Sequence, residues 1–272
     1  MDAREIDVVV VGAGNAAMAA ALSASEQGAK ALLLERAPYD ERGGNSRFTA
    51  GALRFVHNDM EDLLKVMPDL TDEEINNTDF GNYTRDEFFD DMGRLTRYRC
   101  DPDLTETLID GSLETMIWLT EKGIRFQPSF GRQAFKIDGK FKFWGGICLE
   151  AWGGGPGLVD MLTQIAEKEG VEILYGTRAV ELIVKDGAVE GVVARQGNDI
   201  FDIRAKAVVL ASGGFEANAE WRTRYLGPGW DLARVRGTRF NTGDGIKMAL
   251  DIGAISTGNW SGCHAVGWDR NA

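Results

Sequence analysis

An α/β fold, in which a parallel sheet carries helices and is interrupted by a helical region and an antiparallel β-meander, is what three observations in the sequence predict. The first is Val8-Val9-Val10-Val11, an unbroken β-branched run of the kind a parallel strand needs when both its faces are buried. The second is Gly12-Ala13-Gly14-Asn15-Ala16-Ala17, which follows at once, with Leu32-Leu33-Leu34-Glu35 beyond it. The third is a late apolar run, Ala207-Val208-Val209-Leu210, that ends in Ala211-Ser212-Gly213-Gly214 and reads as a second buried strand of the same sheet.

The glycines after the first strand let the chain turn tightly and bring backbone N–H groups against a pyrophosphate at a helix N-terminus. Ala17 fills the third glycine's place. Glu35 ends the second apolar run 21 residues after Gly14, where a carboxylate can accept hydrogen bonds from both hydroxyls of an adenosine ribose. Strand, glycine turn, helix, strand and acid stand in the order of a dinucleotide site. Gly43-Gly44-Asn45-Ser46 follows shortly afterwards.

From His57 to Phe126 the chain is largely helical and acidic. Asp101-Pro102-Asp103 predicts a helix start, with a capping side chain, proline at the first helical position and an acid against the dipole. Leu104, Leu108, Ile109, Met116 and Ile117 follow at roughly helical spacing and are expected in the core. Phe135 to Phe143 alternates around Asp138-Gly139, a strong hairpin signal, with its lysines expected on one face. Trp152-Gly153-Gly154-Gly155-Pro156-Gly157 reads as a loop leading into an amphipathic helix with Leu158, Met161, Leu162 and Ile165 on one side. A strand at Val171–Leu174 and a meander over 179–207, turning at Asp186-Gly187, complete the pass.

Composition fits a compact enzyme: 44% hydrophobic residues, 26% charged, and 34 glycines in 272 residues, a share that suggests many backbone approaches to ligand. A net charge of −12 argues against nucleic acid or an anionic membrane as partner, so an anionic substrate needs a local cluster of cations. Cys100, Cys148 and Cys263 are widely separated and odd in number, which indicates neither a disulfide framework nor a metal site. Met1 to Ile6 is too short and too charged for a signal peptide, and a cytoplasmic protein is expected.

A plain NAD-binding domain alternates helices and strands regularly, whereas a helical excursion and a meander interrupt this sheet, an arrangement that suits FAD. At this point the chain resembles the FAD-dependent fumarate reductase and succinate dehydrogenase flavoprotein family. The resemblance rests on the N-terminal fingerprint, Gly43-Gly44-Asn45-Ser46 with Thr49-Ala50-Gly51, Gly157-Leu158-Val159 before Thr177-Arg178-Ala179, Ala211-Ser212-Gly213-Gly214-Phe215, and Thr242-Gly243-Asp244-Gly245. It implies a Rossmann-like FAD-binding domain over 1–253, with 57–126 as the helical excursion and 179–207 as the meander, and the start of a substrate-capping domain over 254–272.

Residue by residue, the resemblance implies that Gly12, Gly14, Asn15, Ala16 and Ala17 meet the FAD pyrophosphate, and that Glu35, with Arg36 beside it, serves the adenosine ribose. Gly43, Gly44, Asn45 and Ser46, with Ala50 and Gly51, then follow the cofactor toward the isoalloxazine ring. Ala179 touches adenine through its backbone, Ala211, Ser212 and Gly213 line the same half, and Asp244 stands near the ribityl chain. Arg47 and Phe48 occupy the region where some relatives carry a flavin-linking histidine, so noncovalent FAD is expected. His264, eleven residues after Gly253, stands where resembling fumarate reductases hold a substrate carboxylate. Leu53-Arg54 and His57 are similar to a pattern in the tricarballylate dehydrogenase branch, which makes Arg54 a candidate second carboxylate ligand. The implied reaction is hydride transfer between flavin N5 and a polycarboxylate carbon next to a carboxylate, with tricarballylate dehydrogenation foremost. Fumarate reductase-like chemistry, another CH–CH oxidation, or a catalytically incomplete FAD-binding fragment are the alternatives. A separate electron acceptor protein is the implied partner, and any membrane association would run through it. Relatives continue past Ala272 with a cap and an acid–base arginine, so the chain is expected to be a fragment or a shortened relative.

Overall fold

The computed structural model describes residues 6–264. Strand β1 (Ile6–Val11) leads through the glycine turn into α1 (Asn15–Glu26) and back to β2 (Ala31–Leu34). Val10 and Leu33 point into one apolar cluster while Val9, Val11, Leu32 and Leu34 point into the other, which explains the unbroken apolar runs Val8 to Val11 and Ala31 to Leu34.

The helical excursion comprises α2 (Met60–Val66), α3 (Asp72–Asn77), α4 (Arg85–Thr96), α5 (Pro102–Asp110) and α6 (Ser112–Lys122). Local signals set their starts: Asp59 caps α2, Thr71 with Glu74 and Thr84 with Glu87 form capping boxes, and Asp101 accepts from the Leu104 N–H ahead of Pro102. The expected stripe through this region is only half in the core. Ile109 and Met116 are buried, but Leu104 and Leu108 are exposed, because the helix breaks at Gly111 and α5 turns only the Thr105 and Ile109 side inward.

A two-residue strand β3 (Thr78–Asp79) joins a small sheet with β5 (Ala134–Ile137) and β6 (Lys140–Phe143), while β4 (Phe126–Pro128) pairs with β7 (Leu149–Ala151); a single helical turn, α7 (Phe130–Gln133), lies between β4 and β5. Asp138 and Gly139 both take positive φ, as the hairpin turn requires. Its lysines do not share a face. The register pairs Phe135 with Lys142 and Lys136 with Phe141, so Lys136 lies opposite to Lys140 and Lys142, and its ammonium sits over the Phe141 ring.

Helix α8 (Gly154–Lys168) begins inside the segment that reads as a loop. Gly153 supplies a left-handed N-cap, so Gly154-Gly155-Pro156-Gly157 already forms the first turn. The glycines are needed for contact: a Cβ on Gly155 would stand 2.4 Å from the Ser46 carbonyl oxygen, and one on Gly157 would stand 1.8 Å from that of Trp152.

After β8 (Glu172–Leu174), the meander consists of β9 (Thr177–Lys185), β10 (Ala188–Gln196) and β11 (Asp199–Leu210). The six-stranded sheet has the order β8-β2-β1-β11-β10-β9. The run at 207–210 is therefore no separate strand. β11 pairs antiparallel with β10 over its first half and parallel with β1 over its second, so one strand fuses the meander to the dinucleotide sheet. That second half is also only half-buried. Helices α9 (Ala219–Leu226) and α10 (Asp244–Asp251) follow, and Trp260 packs on Phe215 and Tyr225, which holds the segment after α10 against α9. The expected capping segment 254–272 lies partly outside the described residues.

Candidate cofactor site

The C-terminal ends of β1, β2 and β11 open onto a cleft of about 460 Å³ lined by the turn after β1, the end of β2, the 3-10 turn Gly44–Phe48, the start of β9 and the loops that follow β11. Of the expected cofactor residues, Gly12, Gly14, Asn15, Ala16, Glu35, Arg36, Gly44, Asn45, Ser46, Ala179, Ala211, Ser212, Gly213 and Asp244 line it. They come from six stretches of the chain, and parallel pairing of β1 with β2 and β11 brings the ends of those strands to one sheet edge.

The arrangement fits a pyrophosphate. Gly12 has φ +119, and a Cβ there would meet the Ala211 carbonyl oxygen at 2.5 Å, so only glycine lets the turn pass this close to the end of β11. Helix α1 starts with no cap from its own N-cap residue and no acidic side chain in its first turn. Its first N–H, that of Asn15, donates to Ser46 Oγ at 3.1 Å. The positive end of the α1 dipole thus faces the cleft without an acid of its own to neutralise it.

Glu35 is 6% exposed and its Oε1 accepts from the Ala37 N–H at 2.8 Å. Burial pushes its carboxyl above the ordinary value, against the pull of that and neighbouring backbone N–H groups. A ribose whose hydroxyls donate to it would favour the charged form.

At the same end of the cleft three charged side chains interlock. Arg178 Nε and Nη2 donate to both oxygens of Asp244 at 2.8 and 2.9 Å, and Arg36 Nη1 donates to Asp244 at 3.0 Å and to Thr242 Oγ1 at 2.6 Å. Asp244 was expected beside the ribityl chain. It lines the cleft, and its carboxylate accepts from two guanidinium groups and the Thr242 hydroxyl.

Other expected residues lie outside the lining. Ala17 is fully buried and packs in the core, which is the packing role of the position it fills. Gly43 takes φ +96 where a Cβ would meet Val159 at 2.6 Å, and Gly51 takes φ +72 where a Cβ would meet Gly154, with Ala50 against the same glycine. These three seat the Gly44–Phe48 turn on α8. Arg54 donates to Asp91 at 2.9 Å and to the Gly145 carbonyl, over the Tyr83 ring, while Tyr83 OH donates to the same Asp91 oxygen at 2.8 Å. His57 is fully buried, its Nδ1 3.2 Å from the Phe55 carbonyl, and burial pushes its pKa down. Neither presents a free cation to a carboxylate in this arrangement. His264 is exposed and outside the cleft.

Sequence reasoning missed Arg178, Phe240 and Asn241 in the cleft wall, and the glycine-rich start of α8 that supports it. Arg178 stands next to Ala179, so its signal was proximity to an assigned residue. Its partner Asp244 is 66 residues further on.

Residues 7–260 match the family model described as an FAD binding domain. The chain belongs to the FAD-dependent fumarate reductase and succinate dehydrogenase flavoprotein family. It is 30% identical over 261 residues to a probable fumarate reductase, Ifc3, of Shewanella frigidimarina, covering 94% of this chain and 40% of that protein. It is 31% identical over 267 residues to a urocanate reductase of Eggerthella lenta, covering 92% of this chain and 38% of that protein. The structure of the open conformation of a flavocytochrome c3 fumarate reductase superimposes with a TM-score of 0.71 at 29% identity, over 93% of this chain and 41% of that one. The chain thus spans about two-fifths of the length of these relatives. FAD is the cofactor for which the cleft is built. Among the described residues there is no cluster able to hold a metal ion, and no helix is long and apolar enough to cross a membrane.

Proposed function

We propose that this chain forms the FAD-holding half of an oxidoreductase that reduces or forms a carbon–carbon double bond beside a carboxylate. The observation that carries the reading is the cleft itself: a glycine turn that admits no Cβ, the unneutralised N-terminus of α1, and Glu35 at the end of β2. FAD, when bound, supplies two-electron hydride exchange at N5. The N–H groups of the first turn of α1 that follow Asn15 would hold the pyrophosphate, Glu35 would orient the ribose, and the Gly44–Phe48 turn would direct the rest of the cofactor away from the sheet. No histidine stands at Arg47 or Phe48, which supports noncovalent binding.

The relatives named for fumarate and urocanate favour an unsaturated acid as substrate in a full-length protein. Tricarballylate has less support, because the residues that suggested it are occupied: Arg54 is tied to Asp91 and His57 is buried beside Phe55. His264 stays a candidate carboxylate ligand on its position in the sequence alone, and electrons would be exchanged with a separate acceptor or donor.

Titration of the purified chain with FAD tests the reading. Binding that quenches flavin fluorescence, with the colour released on acid precipitation, is expected. Colour retained on the denatured chain would contradict noncovalent binding, and tight NAD binding with no flavin uptake would overturn the class.

A further inference from the structure

We propose that Arg178, laid flat by its ion pair with Asp244, is the platform on which the adenine ring of the cofactor stacks, so that it sets the preference of the cleft for an adenine dinucleotide. The proposal rests on the FAD reading and assigns to one side chain a role that the expected backbone contact of Ala179 leaves open.

The argument is about which parts of the guanidinium are still available. A guanidinium offers a hydrogen-bonding edge and two flat faces, and it is planar and weakly hydrated enough to stack on aromatic rings. In Arg178 the Nε–Nη2 edge is spent on both oxygens of Asp244. That bidentate contact fixes the plane of the group as well as its position. Asp244 is itself held, since it opens α10 and also accepts from Arg36 and Thr242. The side chain of Arg178 nevertheless remains 37% exposed, and it lines the cleft beside Ala179, on the strand whose pairing with β10 keeps it rigid. A guanidinium that served only to bolt β9 to α10 would gain nothing from standing in the cleft wall. One whose edge is occupied and whose side chain stays partly exposed in the cleft wall suits a flat, uncharged aromatic base.

The test compares three ligands on the 272-residue chain by titration calorimetry: FAD, ADP and FMN, the last carrying the flavin without adenine. Arg178→Lys keeps the charge and removes the plane. A stacked cation contributes about 0.5–2 kcal/mol, so the Kd for FAD and for ADP should rise about two- to thirtyfold while that for FMN stays put. Asp244→Asn, which keeps Arg178 but weakens its tether, should shift the same two ligands in the same direction by less. Unchanged FAD and ADP binding in Arg178→Lys would overturn the proposal. So would an equal loss for FMN, or a fall in the melting temperature of the ligand-free variant that accounts for the loss, since Arg178 would then act only through the fold. Failure of the unsubstituted chain to bind FAD would defeat the FAD reading itself, and the ADP comparison would still decide the role of Arg178.

Discussion

At the residue scale, Glu35 carries two opposed consequences. Its carboxyl is raised by burial, so the folded chain keeps a proton at a pH where the unfolded chain has lost it. The fold therefore loses stability as pH rises through the ordinary value of 4.5, and the cost persists at neutral pH. Glu35→Gln removes that cost while keeping an oxygen for the Ala37 N–H. The melting temperature of the ligand-free chain should rise at pH 7, with the gain vanishing below pH 4. Two charge-assisted bonds to the ribose would be lost at the same time, and at about 1.5–3 kcal/mol for such bonds the Kd for FAD should rise tenfold or more. A melting temperature lowered at pH 7 would show that burial is not what governs this carboxyl. Arg54 makes a contrasting case. Because it joins Asp91, Gly145 and the Tyr83 ring, Arg54→Ala should lower stability by about 1 kcal/mol in urea unfolding, through the charge-assisted bond and ring contact it removes, while the Tyr83 hydroxyl and Arg94 still serve Asp91. A variant of unchanged stability would return Arg54 to the role of a free substrate ligand.

At the element scale, the start of α8 supports the cofactor turn from behind. The Gly155 N–H donates to the Thr49 carbonyl at 3.1 Å, and no side chain fits between them. Gly155→Ala should therefore cost about 3 kcal/mol or more, because the atom it adds meets the backbone carbonyls of Ser46, Thr49 and Arg47, and no flexible side chain can yield to it. Loss of FAD affinity should accompany the lower melting temperature, since the displaced Gly44–Phe48 turn forms the cleft wall. Gly139→Ala is the control: this glycine takes φ +85 in a turn but has nothing within 4 Å of an added Cβ, so the change should cost about 1 kcal/mol and leave FAD binding alone. The glycine cluster before Leu158 was visible in the sequence but reads as a loop, because glycine and proline usually end helices. Only the carbonyls of Ser46 and Thr49, which come from elsewhere in the chain and pack against Gly155, show why glycine stands at this helix start.

At the scale of the whole molecule, β11 decides whether the meander is an appendage or part of the sheet. The Ala211 N–H donates to the Val11 carbonyl, and the alternation of a parallel ladder turns the Ala207 N–H toward β1 as well. Ala207→Pro removes that donor inside a strand shared by both halves, at a cost of about 2–4 kcal/mol. Circular dichroism and tryptophan fluorescence, followed through urea unfolding, should shift together to lower urea in this variant. Two separated transitions would show that the meander over β9 and β10 folds apart from the dinucleotide sheet.

The sequence by itself determined what is local: the two-sided burial of β1 and β2, the glycine turn that only glycine can make, the caps of α2 to α5, and the hairpin at Asp138-Gly139. These are legible because neighbouring residues carry the whole of the physical cause. The order of the family's five blocks extended that reading to the cofactor class. Tertiary structure alone decided the rest. It joined the run at 207–210 to the meander, turned Leu104 and Leu108 outward, and withdrew Arg54 and His57 into contacts with Asp91 and Phe55. It also brought Arg178 and Arg36 to Asp244 across more than sixty residues. Such pairings depend on which elements the sheet order places side by side, and the spacing of residues along the chain does not contain that order.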